Sequence, residues 1–459
     1  MVEIVTELRK IIGDPERVLG ADDIDEAYVS DALGHVSGRA SALVFAQSTD
    51  EVSRLLQAAS AHSWAVTPHG AGTNMVGSTV PTRNNVVIDV SRMKKILELD
   101  TENLTATVEP GVLLKDLADY AEEHGLFYPP DPGDREASIG GNVSTNAGGM
   151  RAVKYGVTRD YVMALECVLA NGDVLQLGSK NRKDATGLDL VDTIVGSEGT
   201  LAIITKITVK LVAKPEVAQS ALFSFTRSSD AWAFISAVMR SQVEPTAMEF
   251  IAQSVARMGE AYTGIRLGDP DAQCYVLLTV DGTEQYVAAG VKQLQAIALQ
   301  HHAADVEVLS SQRSADVWHV RGSLGRATEA VSVQEPMDVV VPIAQVGTFA
   351  QRIEQLEQET GVQMVTFGHA GDGNVHMSVM KGERSEQQWE SVRADVLNRI
   401  YEIATSLGGL VSAEHGLGVN KRQYFFRYTD PCIVALMQGI KAVFDPQGIL
   451  NPGVSYAAD

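Results

Sequence analysis

The sequence predicts an α+β protein of two or three domains, and three observations carry that expectation. At 459 residues the chain exceeds what a single hydrophobic core usually organises. Its first part opens with a β-α-β pattern and continues through short strands punctuated by turn residues. After Pro215 the pattern changes to strands alternating with amphipathic helices.

The elements follow in order. After an amphipathic helical start, residues 42–46 read as a strand, 50–62 as an amphipathic helix and 65–67 as the next strand, ending at a glycine-rich turn. Residues 85–90, 96–99 and 104–108 are short strands, and 112–124 is a helix that Gly125 can stop. Strands return at 162–169, at 174–177 across the Asn171-Gly172 turn, and at 202–211. Beyond Pro215 come a strand at 220–225, a helix from about 229 to 242, a strand at 274–280 and a helix from about 284 to 301, which suggests a sheet covered by helices on one face. Residues 385–407 form a long helix: Ser385 with Gln388 makes a capping box, Trp389, Val392, Val396, Ile400, Ile403 and Leu407 an apolar stripe, and Gly408-Gly409 stop it.

Composition bounds the function. Hydrophobic residues at 45% and charged residues at 21% are ordinary for a soluble protein, and a formal charge of -21 argues against binding nucleic acid. Cys167, Cys274 and Cys432 are scattered, without disulfide or iron-sulfur spacing. The first residues carry acids and no signal-peptide core, and no apolar run approaches the ~18 residues of a membrane helix. These features predict a cytoplasmic protein, not an integral membrane protein.

Three glycine-rich segments suit an anion. Pro68-His69-Gly70-Ala71-Gly72-Thr73-Asn74, with Gly77-Ser78, directly follows a strand, so its N–H groups can converge as in a nest. Residues 139–149 read as a second loop, with Gly140, Gly141, Gly148 and Gly149 interleaved with Asn142, Ser144, Thr145 and Asn146. Gly196-Ser-Glu198-Gly199 is the third. Neutral donors of this kind can hold a diphosphate without lysine, which reconciles an anionic ligand with an acidic protein.

Two short segments carry the strongest chemical signal. The strand-turn-strand around Gly368-His369 and Val375-His376 can bring two imidazoles to one end of a hairpin, and Ser412-Ala-Glu414-His415-Gly416 adds a carboxylate and a third imidazole. His369, His376 and Glu414 are the ligand set a divalent ion such as zinc or manganese uses when one position stays open to substrate. His415 then stands beside the ion, able to move a proton.

In these motifs, and in the terminal run from Phe444 to Gly453, the chain resembles the FAD-linked 2-hydroxyacid dehydrogenases of the vanillyl-alcohol-oxidase superfamily, a group that acts on D-lactate, glycolate or D-2-hydroxyglutarate. The resemblance runs from about residue 44 to 453. It implies a split FAD-binding domain, residues 1–214 completed by 409–459, with an α+β substrate cap at 215–408. It also implies non-covalent FAD in contact with Pro68, His69, Gly70, Ala71, Gly72, Thr73, Asn74, Gly77, Ser78, Pro132, Ile139, Gly140, Gly141, Asn142, Ser144, Thr145, Gly149, Glu198, Gly199, Ile204 and Asn451. His69 stands where many relatives have arginine.

The segment Trp318-His-Val-Arg321 is similar to the cap segment whose arginine grips the substrate carboxylate. Where 2-hydroxyglutarate enzymes place a lysine for the distal carboxylate this chain has Pro336, and Gly325 replaces a threonine, which favours a short monocarboxylate, D-lactate before glycolate; Ser378 stands where the same relatives have an asparagine. The expected chemistry is that the ion lowers the pKa of the 2-hydroxyl, His415 takes its proton, Arg321 fixes the carboxylate and the Cα hydrogen leaves as hydride to flavin N5. The electron acceptor, whether an electron-transfer flavoprotein, a quinone, a cytochrome or oxygen, leaves no readable motif. Two other readings stay open: a flavin subunit for electron transfer inside a larger complex, and a metal-dependent hydrolase.

Overall fold

A computed structural model describes residues 2–457. The chain divides into two compact units, one made of residues 1–148, 156–214 and 414–459, the other of 149–155 and 215–413.

The first unit holds two larger sheets and a two-stranded one made of Leu126–Phe127 and Val212–Ala213. In the four-stranded one, Ala40–Phe45, Asn85–Asp89 and Val66–His69 run parallel in that order, and Val18–Gly20 adds an antiparallel edge. The crossover helix Thr49–His62 begins at Ser48, whose hydroxyl accepts the Glu51 N–H, and ends at Ser63 in the left-handed region. Its apolar stripe, Val52, Leu55, Leu56 and Ala59, packs with Val44, Val86 and Ile88, and Leu8 and Ile12 of the helix Val2–Ile12 join them. Each such fully buried aliphatic side chain contributes about 1.5–3 kcal/mol by leaving water.

The second sheet is antiparallel, in the order Ile96–Asp100, Thr105–Val108, Ile203–Lys210, Val162–Val168, Val174–Gly178. The C-terminal stretch returns to this unit beside Val66: the Val66 N–H donates to Ile449 O at 2.8 Å and the Asn451 N–H to Val66 O at 2.7 Å. Residues far apart in sequence thereby complete one module.

One expectation about local structure is corrected. Residues 139–145, read as a loop, form a short helix, Ile139–Thr145. Ser138 caps it by accepting the Gly141 N–H, and Ile139 and Val143 anchor it in the core. The glycines that argued against a helix answer a packing demand, since a Cβ at Gly140 would lie 2.6 Å from Pro110 Cβ.

The second unit is a seven-stranded antiparallel sheet in the order Asp305–Val308, Val217–Phe225, Cys274–Gly282, Ala247–Ala252, Met364–His369, Asn374–Met380, Gln334–Val340. Helices cover both faces, not one. Phe234 and Val238 of Ser228–Met239 and Leu294 of Glu284–Gln300 pack on Phe223, Phe225, Val276 and Leu278. Val255 of Gln253–Thr263 and Val317 and Val320 of Ser311–Gly322 pack on Leu222, Tyr275, Leu277 and Phe367. The strands show why: Leu222 and Phe223, or Leu277 and Leu278, are consecutive and all buried, so neither face meets water. The helix Glu386–Ser406 opens with the expected capping box, Ser385 and Gln388 exchanging bonds of 3.3 and 2.9 Å. Residues 149–155 and 409–413 belong to this unit, and Tyr155 donates its hydroxyl to Asp281 Oδ2 at 3.0 Å.

Candidate active site

The first unit contains an open cleft walled by its glycine-rich segments. Of the residues expected to contact a cofactor, Pro68 through Asn74, Ser78, Pro132, Gly140, Gly141, Asn142, Ser144, Thr145, Glu198, Gly199 and Ile204 line its wall. Gly72 turns the loop in the left-handed region at φ +75° and leaves room for the His69 ring, which a Cβ would meet at 3.1 Å. Gly148 of the second glycine-rich segment also lines the cleft, as do Ser138, Pro110 and Asp134, which were not singled out from sequence.

Gly77, Ile139, Gly149 and Asn451 do not line it. Ile139 is fully buried, and Gly149 belongs to the other unit. Asn451 spends its amide N–H groups on Ser78 O at 2.8 Å and Glu198 O at 2.7 Å, which makes it a brace behind the wall. The Glu198 carboxylate accepts from Leu417 N–H at 2.9 Å, Gly418 N–H at 2.8 Å and the Ser78 hydroxyl. It therefore pins the chain just beyond Glu414 and His415. Those two residues lie on the cleft wall, His415 Nε2 being 3.9 Å from Glu414 Oε1. Gly148 permits this, since a Cβ there would sit 2.8 Å from Glu414 Oε2.

The cleft suits FAD. Its wall carries no lysine or arginine, while two buried ring and amide nitrogens, His69 Nε2 and Asn142 Nδ2, have no partner among the described residues. Buried polar atoms of this kind call for a polar ligand. His69 Nδ1 faces two acceptors, Gly70 O at 3.0 Å and Asp89 Oδ2 at 3.3 Å, so it carries the proton and leaves the buried Nε2 as the acceptor.

In the second unit the expected hairpin forms. Met364–His369 pairs with Asn374–Met380, Phe367 opposite His376, and the His369 and His376 rings meet edge to face with centroids 5.0 Å apart. Both histidines are buried. Arg321, near the end of its helix, reaches the same face, its guanidinium 5.5 Å from the Phe367 ring centroid.

What joins Arg321 to His369 is a residue that no motif in the sequence marks. Glu249, fully buried on Ala247–Ala252 and in register with His369, accepts from Arg321 Nε at 2.7 Å and from His369 Nδ1 at 2.7 Å. Burial alone would raise its pKa, but the Arg321 charge and the His369 imidazole outweigh it and hold Glu249 at about 2. Asp338, opposite His376, is a second buried acid; it accepts from Asn374 Nδ2 at 2.9 Å and Ser412 Oγ at 3.0 Å. The available signal for Glu249 was a lone acid in an apolar strand; Asp338 shares its strand with Glu335 and carried no such signal.

Residues 214–454 match the family described as FAD linked oxidases, C-terminal domain, and residues 40–178 match the FAD binding domain. The chain belongs to the FAD-linked oxidases. Relatives of this FAD-linked oxidase include D-lactate dehydrogenase of Anaerostipes hadrus, 38% identical over 98% of this chain and 96% of that protein. Glycolate oxidase subunit GlcD of Bacillus subtilis is 36% identical over 96% of each. The structure of p-cresol methylhydroxylase with substrate bound superposes with a TM-score of 0.81 at 18% identity, over 99% of this chain and 96% of that one. The oxidase thus has the vanillyl-alcohol-oxidase type of FAD-binding fold. None of its described helices is long and apolar enough to cross a membrane.

Proposed function

We propose that this FAD-linked oxidase converts a short D-2-hydroxy acid, D-lactate before glycolate, into the 2-oxo acid. The first unit serves as the FAD-binding domain, holding the cofactor without a covalent bond, and the second as the substrate domain. The observation that carries this reading is the Arg321-Glu249-His369 chain: one buried face presents a carboxylate-binding fork next to an imidazole pair. The naming of relatives as D-lactate dehydrogenase and glycolate oxidase subunit supports the substrate class.

Each residue has a task in this scheme. Glu249 takes the Nε edge of Arg321, so Nη1 is the end that binds the substrate carboxylate. His369, His376 and Glu414 hold a divalent ion, zinc or manganese, which would acidify the substrate hydroxyl. Chain continuity supports the set: the Ala413 N–H is bonded to Asp338 at 3.2 Å, Asp338 faces His376 across the sheet, and Glu414 is the next residue. His415 accepts the hydroxyl proton. When bound, FAD supplies at N5 the two-electron acceptor for the hydrogen leaving Cα. Reoxidation falls to a separate acceptor such as an electron-transfer flavoprotein, in the cytoplasm.

Pro336 lies opposite Ser378, and Ser378 Oγ is 3.2 Å from Thr328 Oγ1, so these three residues offer hydroxyls and none of them a charge for a second carboxylate. Anaerobic mixing with D-lactate, L-lactate, glycolate and D-2-hydroxyglutarate, followed by flavin absorbance, tests the proposal. D-lactate should bleach the flavin fastest. No bleaching by any of the four would point to an electron-transfer subunit, and a colourless protein to a hydrolase. Full turnover and metal content in His376→Ala would remove the metal assignment.

A further inference from the structure

The proposed reaction needs two devices that must not drift apart, an arm for the substrate carboxylate and an imidazole on the ion. The carboxylate between them touches both at once. Glu249 is 0% exposed, and both its oxygens are engaged on those two devices. A buried charge is retained only with compensating partners, and these partners are the two groups the chemistry requires.

We infer that Glu249 is a positioning residue that sets the aim of Arg321 and the tautomer of His369 together, so that His369 meets the ion through Nε2. The inference rests on the metal-dependent reading of the site.

The argument is one of donor and acceptor capacity. An ionised carboxylate only accepts, so the His369 ring nitrogen 2.7 Å from Oε1 must carry a hydrogen. That leaves the Nε2 lone pair as the ligating one. A carboxylate behind a metal-bound histidine fixes ring orientation and strengthens the ligand, and its loss typically lowers metal affinity about 10–100-fold. On the other side, Oε2 receives Arg321 Nε at 2.7 Å and also one terminal nitrogen. A guanidinium gripped on that edge cannot rotate, so Nη1 points in one direction. The strand register makes the arrangement rigid, because Glu249 sits opposite His369 and Ile251 opposite Phe367.

A lysine or glutamine in place of either partner would not reproduce this. In Glu249→Gln the side chain keeps its size but can present a good acceptor to only one of the two donors.

The test compares the purified holoprotein with Glu249→Gln and Glu249→Asp. Metal content and affinity are read by elemental analysis and chelator competition, KM and kcat with D-lactate, and FAD occupancy by absorbance. We expect Glu249→Gln to keep FAD, to lose metal affinity by about 10–100-fold and to raise KM for D-lactate by about tenfold or more, with partial recovery in Glu249→Asp. Wild-type metal affinity and KM in Glu249→Gln overturn the inference alone. A wild-type protein that carries no divalent ion would instead overturn the metal reading beneath it. Should Glu249→Gln not fold, nitrogen-15 shifts of His369 in the unmutated metal-loaded protein decide: a protonated Nδ1 with metal-shifted Nε2 supports the inference, and a metal-shifted Nδ1 overturns it.

Discussion

Ser412 donates its hydroxyl to Asp338 Oδ2 at 3.0 Å, tying the segment that leads into Glu414 to the strand that faces His376. Asp338 is fully buried, and its other oxygen accepts from Asn374 at the hairpin turn. In Asp338→Ala these donors lose their common acceptor inside the protein. Leaving buried donors unmet should destabilise the chain by about 2–4 kcal/mol. Turnover should also fall by roughly tenfold, because the anchor of the chain before Glu414 is gone. Urea unfolding and steady-state kinetics check both effects. An unchanged unfolding midpoint would show that the anchor is dispensable.

A second prediction concerns acid. Glu166, buried in the first unit, accepts from Thr49 Oγ1, Gln176 Nε2, Lys206 Nζ and Thr205 Oγ1 at 2.5, 2.6, 2.8 and 2.9 Å. Burial pushes its pKa up, yet Lys206 and the three neutral donors more than offset this and leave it below the ordinary carboxylate range. A carboxylate depressed in the folded state adds stability that is present above its unfolded pKa, about 4.3, and is lost as pH falls through the lower folded value. Stability should therefore be flat in this respect above about pH 5 and decline below about pH 4. Glu166→Gln should flatten part of that decline while lowering stability at neutral pH. Thermal melts from pH 3 to 7 on both proteins provide the comparison.

Glu249 shows what the sequence could and could not disclose. Periodicity located the hairpin and the helix Thr49–His62 because apolar spacing is set by local geometry. It concealed Glu249 in Ala247–Ala252, where a buried charge interrupts an apolar run for reasons that lie on Arg321 and His369, distant in sequence. Ile139–Thr145 reads as a loop in the sequence because glycine signals one locally, whereas at Gly140 it is there to let Pro110 approach. The Ser138 cap was a visible cue that a helix starts there. The family resemblance contributed the cofactor and substrate class, which no spacing of residues states.

Gly148 offers a way to disturb Glu414 and leave the flavin cleft otherwise intact. A Cβ at this position would lie 2.8 Å from Glu414 Oε2 and 3.1 Å from Glu414 Cβ. Rotating the carboxylate relieves the first contact but not the second, so the Glu414 backbone must give way as well. Gly148→Ala should keep the flavin absorbance but bind the divalent ion roughly tenfold more weakly, as displaced ligands do. Retained metal affinity would argue against Glu414 as a ligand.

The most specific prediction concerns Pro336. It sits on Gln334–Val340, the strand that ends the seven-stranded sheet, where a residue without an N–H is tolerated. Opposite it is Ser378, two residues from His376 on the same strand face. A longer cationic side chain at 336 would extend from the row that carries Asp338, toward the corner formed by Ser378 and Thr328. The wild-type oxidase should prefer D-lactate over D-2-hydroxyglutarate, because nothing there answers the distal carboxylate. Pro336→Lys should raise kcat/KM for D-2-hydroxyglutarate by roughly tenfold relative to D-lactate, the scale of one charge-assisted hydrogen bond worth about 1.5 kcal/mol. Ratios of kcat/KM for the two acids, measured on both proteins, give the answer directly. An unchanged ratio would place the substrate's far end away from this corner of the sheet, and with it the grounds for preferring a monocarboxylate.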